Sequence, residues 1–343
     1  MQEVKVKSAG GSIAQILALA ASIKISRLIQ REFVLEYFPG STGTYWPFAI
    51  KSLLKSSEYD ETKNQEFAEI ANANDWEVGK PIPNSDVFKS GPNYENFLEF
   101  LRATKLDRPI RRLRGEYVVG ADYKRLLSTP VGIRSVTGGY PPFLDADVLA
   151  SLESRFKNSD LTSPFSKDNL LNHSYGVIHY RLGDQRSSKS VQKPGLGLPL
   201  HPRVFSQIVK QNLDESTPLF VCSDEPELAK LLLQSQDIEV EVIPKIHTNQ
   251  GIWSELQFMS QANFFIGSWS QVSQFASILV SHRGGKVWYP NSPAEGGNPK
   301  WAIPGVNMFK PEFLARTDDF FRSSYSFSKH THSGYGINSA KSK

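Results

Sequence analysis

Apolar positions recur at helical spacing between Ser12 and Arg31, and a short apolar run lies on either side of that stretch. Val4–Val6 predicts a strand. Ile13, Leu17, Ala20, Ala21 and Ile25 define one side of a helix over about 13–28, and Phe33–Tyr37 predicts a second strand. Gly10-Gly11 stands between the first strand and the helix, which is the order of a βαβ unit. Pro39-Gly40-Ser41-Thr42-Gly43 then reads as a loop at a strand end, where open α/β sheets bind ligands. Residues 58–80 predict an acidic, exposed helix, 81–96 a loop rich in Pro, Asn, Ser and Gly, and 128–144 an irregular stretch.

From about Gly176 the alternation is clearer. Strands are expected at Val177–Arg181, Pro218–Ser223, Ile238–Ile243, Phe264–Gly267 and, last, Lys286–Tyr289. Helices are expected at Glu225–Gln234, Glu255–Ala262 and Gln271–Val280. Strands alternating with helices imply a parallel sheet covered on both faces. The fold class expected is therefore α/β, with two Rossmann-like domains facing a cleft. The divisions expected are 1–165, 166–315 and a polar tail, 316–343, with too little to bury to be ordered.

Composition narrows the function. At 343 residues, 39% hydrophobic and 22% charged, the chain suits two globular domains. A net charge of +4 does not suggest a nucleic-acid binder. The basic run Arg102–Arg125 reads as a solvated helix face or as a basic wall toward an anionic ligand; aromatics do not interleave it as single-stranded nucleic acid would require. Ile16–Ala21 is far too short for a membrane span. No clear cleavage site follows it, so it reads as a buried helix rather than a signal core. The one cysteine, Cys222, reads as a small buried hydrophobe, and the absence of a possible internal disulfide suits a reducing, cytoplasmic setting.

The densest chemistry lies at His179-Tyr180-Arg181-Leu182-Gly183-Asp184. Residues two apart on a strand point to the same side, so His179 and Arg181 reach together past the strand end. Basic residues dominate Gly176–Lys210, with Asp184 the one acid among them. An oriented guanidinium in such a field suits a diphosphate, which it can grip with paired hydrogen bonds. Asp184 could orient Arg181 or face an acceptor. Ser223-Asp224-Glu225-Pro226 ends a strand and opens a helix, and reads either as a cap supplied by Ser223 or Asp224 or as a cleft lining. Glu255 could accept two N–H donors from guanine, and Ser268, Ser270 and Gln271 stand at a strand-to-helix turn that can cap the helix or bind phosphate. Trp253 and Trp269 are expected to pack. No convincing zinc cluster, Asp-x-Asp element, phosphate-binding P-loop or serine-hydrolase elbow occurs.

Three blocks in order, around His179–Asp184 with His201-Pro202, Leu219–Pro226 and Glu255–Val272, resemble the fucosyltransferase superfamily with an H-x-R-x-x-D motif. The third block looks most like the α1,6 branch, and Gly10-Gly11 with Gln15 echo that family's N-terminal glycine loop and glutamine on the acceptor side. The resemblance implies a GT-B-type, inverting glycosyltransferase with no metal or other cofactor, using GDP-fucose as donor and a glycan as acceptor. It implies Arg181 and His179 at the diphosphate, Glu255 at guanine, and Ser268 and Ser270 near ribose or phosphate, with Ser223, Asp224 and Gln271 lining the donor. Two departures stand out: the family's double Arg is here Arg181-Leu182, and Gln185–Ser190 holds no acid where the α1,6 branch has its catalytic carboxylate, which leaves the base open, with Asp184 as candidate base or acceptor-orienting group. A membrane anchor of the secretory-pathway kind is also missing, which favours a cytoplasmic protein. Another GDP-sugar, such as GDP-mannose, and a non-catalytic glycan- or nucleotide-binding role remain as alternatives.

Overall fold

The computed structural model describes residues 4–8, 12–37, 49–75, 116–118, 135–137, 145–158, 174–182, 199–243, 251–291 and 305–314. The chain divides into two compact units, Met1–Asp160 and Leu161–Lys343.

Unit 1 contains β1 (Val4–Ser8), α1 (Ser12–Ile29), β2 (Phe33–Tyr37), α2 (Glu61–Ala73), β3 (Glu116–Val118), β4 (Ser135–Thr137) and α3 (Ala146–Asn158). Its four strands are parallel in the order β2-β1-β4-β3. The expected βαβ opening is present. Helix α1 is the buried helix expected, and its burial extends beyond the apolar side named above: every residue from Ile16 to Ile23 is buried. A helix apolar all round belongs inside, and α1 is enclosed by the strands and by α3. Asp145 precedes α3, accepts the Val148 N–H at 3.1 Å and pairs with Lys24 of α1, which fixes the two helices together. Of the acidic helix expected over 58–80, Glu61–Ala73 is helical, and residues 76–80 lie outside the described residues. Glu58 lies outside it, buried in a 3₁₀ turn. Two short strands were not expected. β4 lies inside the stretch read as irregular, and β3 lies inside the basic run read as a helix face or wall; most of that run is outside the described residues.

Unit 2 contains β5 (Gly176–Tyr180), α4 (Pro202–Asn212), β6 (Leu219–Ser223), α5 (Pro226–Gln234), β7 (Glu241–Val242), α6 (Gly251–Ser260), β8 (Phe264–Ile266), α7 (Gln271–His282), β9 (Lys286–Pro290) and β10 (Val306–Phe309). The pairings among these strands are parallel, in the order β10-β9-β8-β5-β6-β7. From β5 the chain builds outward through β6 and β7, then returns to the other side of β5 for β8, β9 and β10. Parallel sheets are buried on both faces, and all five residues of β5 are buried. Ile178 and Tyr180 join the core with Phe205 of α4 and Leu233 of α5. On the opposite face Tyr175, Phe220 and Phe258 of α6 pack as a ring cluster, with Tyr175 and Phe258 stacked at 4.9 Å.

Three expectations are corrected here. Ile238–Ile243 forms ladder pairs over Glu241–Val242 alone. Lys286–Pro290 is not the last strand, since β10 follows at the sheet edge. Helix α4 was not expected; His201, part of the first family-like block, caps it by accepting the Arg203 N–H at Nδ1, with Pro202 at its first turn. The polar tail from Ser323 and the Pro39–Gly43 loop lie outside the described residues.

Candidate functional site

Strand order decides where a ligand can meet this sheet. In open α/β sheets the crevice lies beyond the carboxyl ends of the two strands where the winding reverses. In unit 2 those strands are β5 and β8, which are hydrogen-bonded neighbours with Ile178 opposite Ile266. β5 ends in His179-Tyr180 with Arg181 next, and β8 is followed by Gly267-Ser268-Trp269-Ser270, so the two most promising sequence segments meet at the reversal.

The backbone beyond β5 is held from both sides. Arg181 N–H donates to Ser268 Oγ at 3.1 Å, and Leu182 N–H donates to Asp224 Oδ1 at 2.8 Å. Two consecutive amides are thus pinned by side chains from the ends of β8 and β6, which fixes the direction in which the half-buried Arg181 side chain leaves the strand. Its guanidinium acts electrostatically on both His179 and Tyr289. Leu182 is fully buried in the core, so the position of the family's second Arg offers no charge to a phosphate.

His179 is 2% exposed. Its Nδ1 lies 2.5 Å from Ser273 Oγ and 3.4 Å from Ser268 Oγ. Burial, with the nearby Arg181 charge adding to it, lowers its pKa to about 3, so the imidazole is neutral at physiological pH. Ser273 is completely buried in the first turn of α7. Its Oγ accepts the Ser268 N–H at 3.0 Å, and its own N–H donates to Ser270 Oγ at 2.9 Å. Ser270 is therefore the N-cap of α7, in extended backbone, as its hydroxyl chemistry favours. Gly267 makes room for the turn: a Cβ there would lie 2.9 Å from Tyr289 Cδ2 and 3.2 Å from Ser273 Cβ.

The cap of α5 differs from the one expected. Glu225 occupies the N-cap position with no side-chain cap bond. Ser223 Oγ instead accepts the Glu225 N–H at 3.0 Å, and Asp224 is turned to Leu182. Glu255, on α6, is buried at 4% exposure. Its charge raises the pKa of Cys222, second to burial, and Cys222 is the register partner of His179. Tyr289 of β9 was missed by sequence reasoning. Desolvation raises its pKa, opposed by the Ser270 amide and by Arg181, so its hydroxyl belongs to the same cluster. Ser273 was also missed; within an ordinary amphipathic run, nothing marks it.

Gln271 follows Ser270 as the first residue of α7. Trp269 packs edge-on to Phe313 with centroids 5.7 Å apart, and its Nε1–H donates to Pro290 O at 3.3 Å. In unit 1, Gln15 is fully buried and its Oε1 accepts the Ala49 N–H at 2.9 Å. Gly10, Gly11 and Asp184 lie outside the described residues. Among the described residues no group of three or more His, Cys, Asp or Glu could hold a metal ion, and no helix is long and apolar enough to cross a membrane.

No family model and no curated protein matches the chain. Among solved structures it is similar to the Escherichia coli heptosyltransferase WaaC with ADP, at 11% identity and a TM-score of 0.40, over 90% of this chain and 93% of that one. It is also similar to a glycosyl transferase family 9 protein from Veillonella parvula DSM 2008, at 7% identity and a TM-score of 0.39, over 90% of this chain and 86% of that one.

Proposed function

We propose that the chain is a glycosyltransferase whose unit 2 binds a nucleotide-sugar diphosphate beyond β5 and β8, and that the donor is GDP-fucose and the acceptor a glycan hydroxyl. The observation that carries the reading is the convergence of Arg181, His179 and the Ser268–Ser270 turn at the winding reversal of the sheet. The choice of GDP-fucose rests on the family-like blocks and on Glu255 as the partner of guanine. In this reading the acceptor oxygen bonds to the anomeric carbon from the face opposite the diphosphate. The sugar–phosphate C–O bond breaks, its electron pair leaves with GDP, and the acceptor proton passes to Asp184. Negative charge grows on the diphosphate as the bond breaks, where the fixed Arg181 cation and the neutral His179 donor stabilise it.

A panel of GDP, UDP, ADP and GDP-fucose in a thermal-shift measurement tests the donor. The guanine nucleotides are expected to raise stability by about 2.7 kcal/mol at a hundred times the dissociation constant. An equal response to UDP or ADP would remove Glu255 as a base reader. Arg181→Ala is expected to leave a folded protein whose transfer rate falls by about 10²–10³; near-normal turnover would discard the mechanism. The buried Leu182 in place of a second Arg favours one further reading, a non-catalytic nucleotide- or glycan-binding protein. GDP binding with no transfer to any member of a glycan array would establish it.

A further inference from the structure

We propose that Ser273 is the positioning residue that fixes His179 as an Nε2–H hydrogen-bond donor to the bound nucleotide. The inference rests on the nucleotide-sugar reading for the identity of the ligand; the state of the imidazole follows from the protein alone.

The proton count around Ser273 Oγ decides it. A hydroxyl has one proton and two lone pairs. One lone pair takes the Ser268 N–H at 3.0 Å. The proton has two places to go: His179 Nδ1 at 2.5 Å or Ser268 Oγ at 3.4 Å. Hydroxyl-to-oxygen bonds have their mode at about 2.7–2.8 Å and rarely exceed about 3.0 Å. Ser268 Oγ is therefore a poor partner. It also already receives the Arg181 N–H at 3.1 Å. Donation from Ser273 to Nδ1 uses the short contact, whereas a proton on Nδ1 would leave the Ser273 proton only the 3.4 Å contact to Ser268 Oγ in a fully buried site. The imidazole proton consequently sits on Nε2, and among the described residues no group accepts from that nitrogen.

The assignment excludes His179 as the base that deprotonates the acceptor. Its low basicity, from burial and from Arg181, points the same way. A neutral N–H donor gains strength as charge grows on the diphosphate and needs no proton transfer of its own. Ser273 also anchors the cap through Ser270, so a single buried hydroxyl sets both the ring and the turn beside it.

Nitrogen-15 spectra of the histidine-labelled full-length chain test the proposal, with His179 identified by its loss in His179→Asn. The wild-type ring is expected in the Nε2–H form, unchanged between pH 8 and 5. Ser273→Ala is expected to alter the Nδ1 resonance and the tautomer balance, and to weaken GDP binding about threefold to tenfold, the size of one neutral hydrogen bond. A wild-type proton on Nδ1, or a Ser273→Ala spectrum identical to wild type, would overturn it. If Ser273→Ala does not fold, the wild-type tautomer decides alone. Failure of the wild-type protein to bind GDP would instead count against the functional reading, with the tautomer still measured.

Discussion

His179 couples the site to the stability of the protein. Its folded pKa, about 3, is below the ordinary value of 6.5, so the unfolded chain binds the extra proton first. Stability from this residue is complete above pH 6.5 and drains as pH falls toward 3, by at most about 1.4 kcal/mol per unit. Glu58 and Asp145 also have lowered values: desolvation would raise them, but Arg155 with the Lys55 amide, and Lys24 with the Val148 amide, together with smaller charge effects, outweigh it. Their contributions begin to be lost as pH falls through the ordinary carboxylate range. Denaturant titrations of wild type and His179→Asn should therefore diverge in slope between pH 6.5 and 4.5 and run nearly parallel at neutral pH. Parallel curves throughout would mean that the imidazole is not buried neutral. Gly267→Ala makes a second demand on the same cluster. Its methyl would meet the Tyr289 ring at 2.9 Å, so overpacking should cost about 1–3 kcal/mol and weaken GDP binding by displacing the Ser268 turn; an unchanged melting temperature would show that the turn is slack. At this scale the sequence revealed which segments carry chemistry but not what each side chain holds. Asp224 could be placed at a strand end. That its carboxylate grips the Leu182 amide depends on the neighbour of β6 in the sheet, which no local pattern encodes.

Elements are legible in proportion to how much apolar surface they order along one line. β5, β6, β9 and α1 were located within a few residues because continuous apolar runs define them. β3 (Glu116–Val118) and β4 (Ser135–Thr137) hold three residues each and mix polar with apolar, so they do not rise above loop composition as the equally short but all-apolar β8 does. β10 has one exposed and three half-buried positions and closes the sheet at its edge, where no second neighbour enforces apolar character. Helix termini tell a similar story: α7 leaves through Gly284, whose φ of +82° suits glycine, two residues beyond the last helical residue, His282. In unit 1 the element that least resembles its sequence expectation is the turn at Glu58. The carboxylate was read as part of an exposed helix, yet Arg155 of α3 grips it with two bonds, at 2.6 and 2.7 Å, while also donating to Leu53 O at 2.8 Å. A fork-shaped pair this enclosed leaves a buried charge when one partner goes. Arg155→Ala should cost about 3–5 kcal/mol, and Arg155→Ala with Glu58→Gln noticeably less than the sum of the two singles. Additive losses would show that the contact is not a coupled pair.

For the whole molecule, strand order is the fact that sequence could not supply and function most needs. Alternating strands and helices announce a parallel sheet, but any order of six strands has the same local pattern. The order found puts β5 between β6 and β8, and it alone brings residues 89 positions apart in the chain, His179 and Ser268, to 3.4 Å. Had β8 been added beyond β7, the same residues would lie at opposite ends of the sheet and no shared site would exist. The donor reading therefore has a spatial signature that does not depend on which sugar is transferred. Hydrogen exchange with saturating GDP should slow amides in three separate stretches of unit 2: the end of β5 through Leu182, Asp224 to Glu225, and Gly267 to Ser273. Slowing there follows because a ligand that fills the reversal shields the amides that Ser268 and Asp224 hold and suppresses the local openings through which they exchange. The edge strands β7 and β10 should not respond, since both end two or more strands from the reversal. Protection confined to one stretch would indicate a surface contact, and protection only in unit 1, beyond β1 and β4, would move the nucleotide to the other winding reversal of the chain.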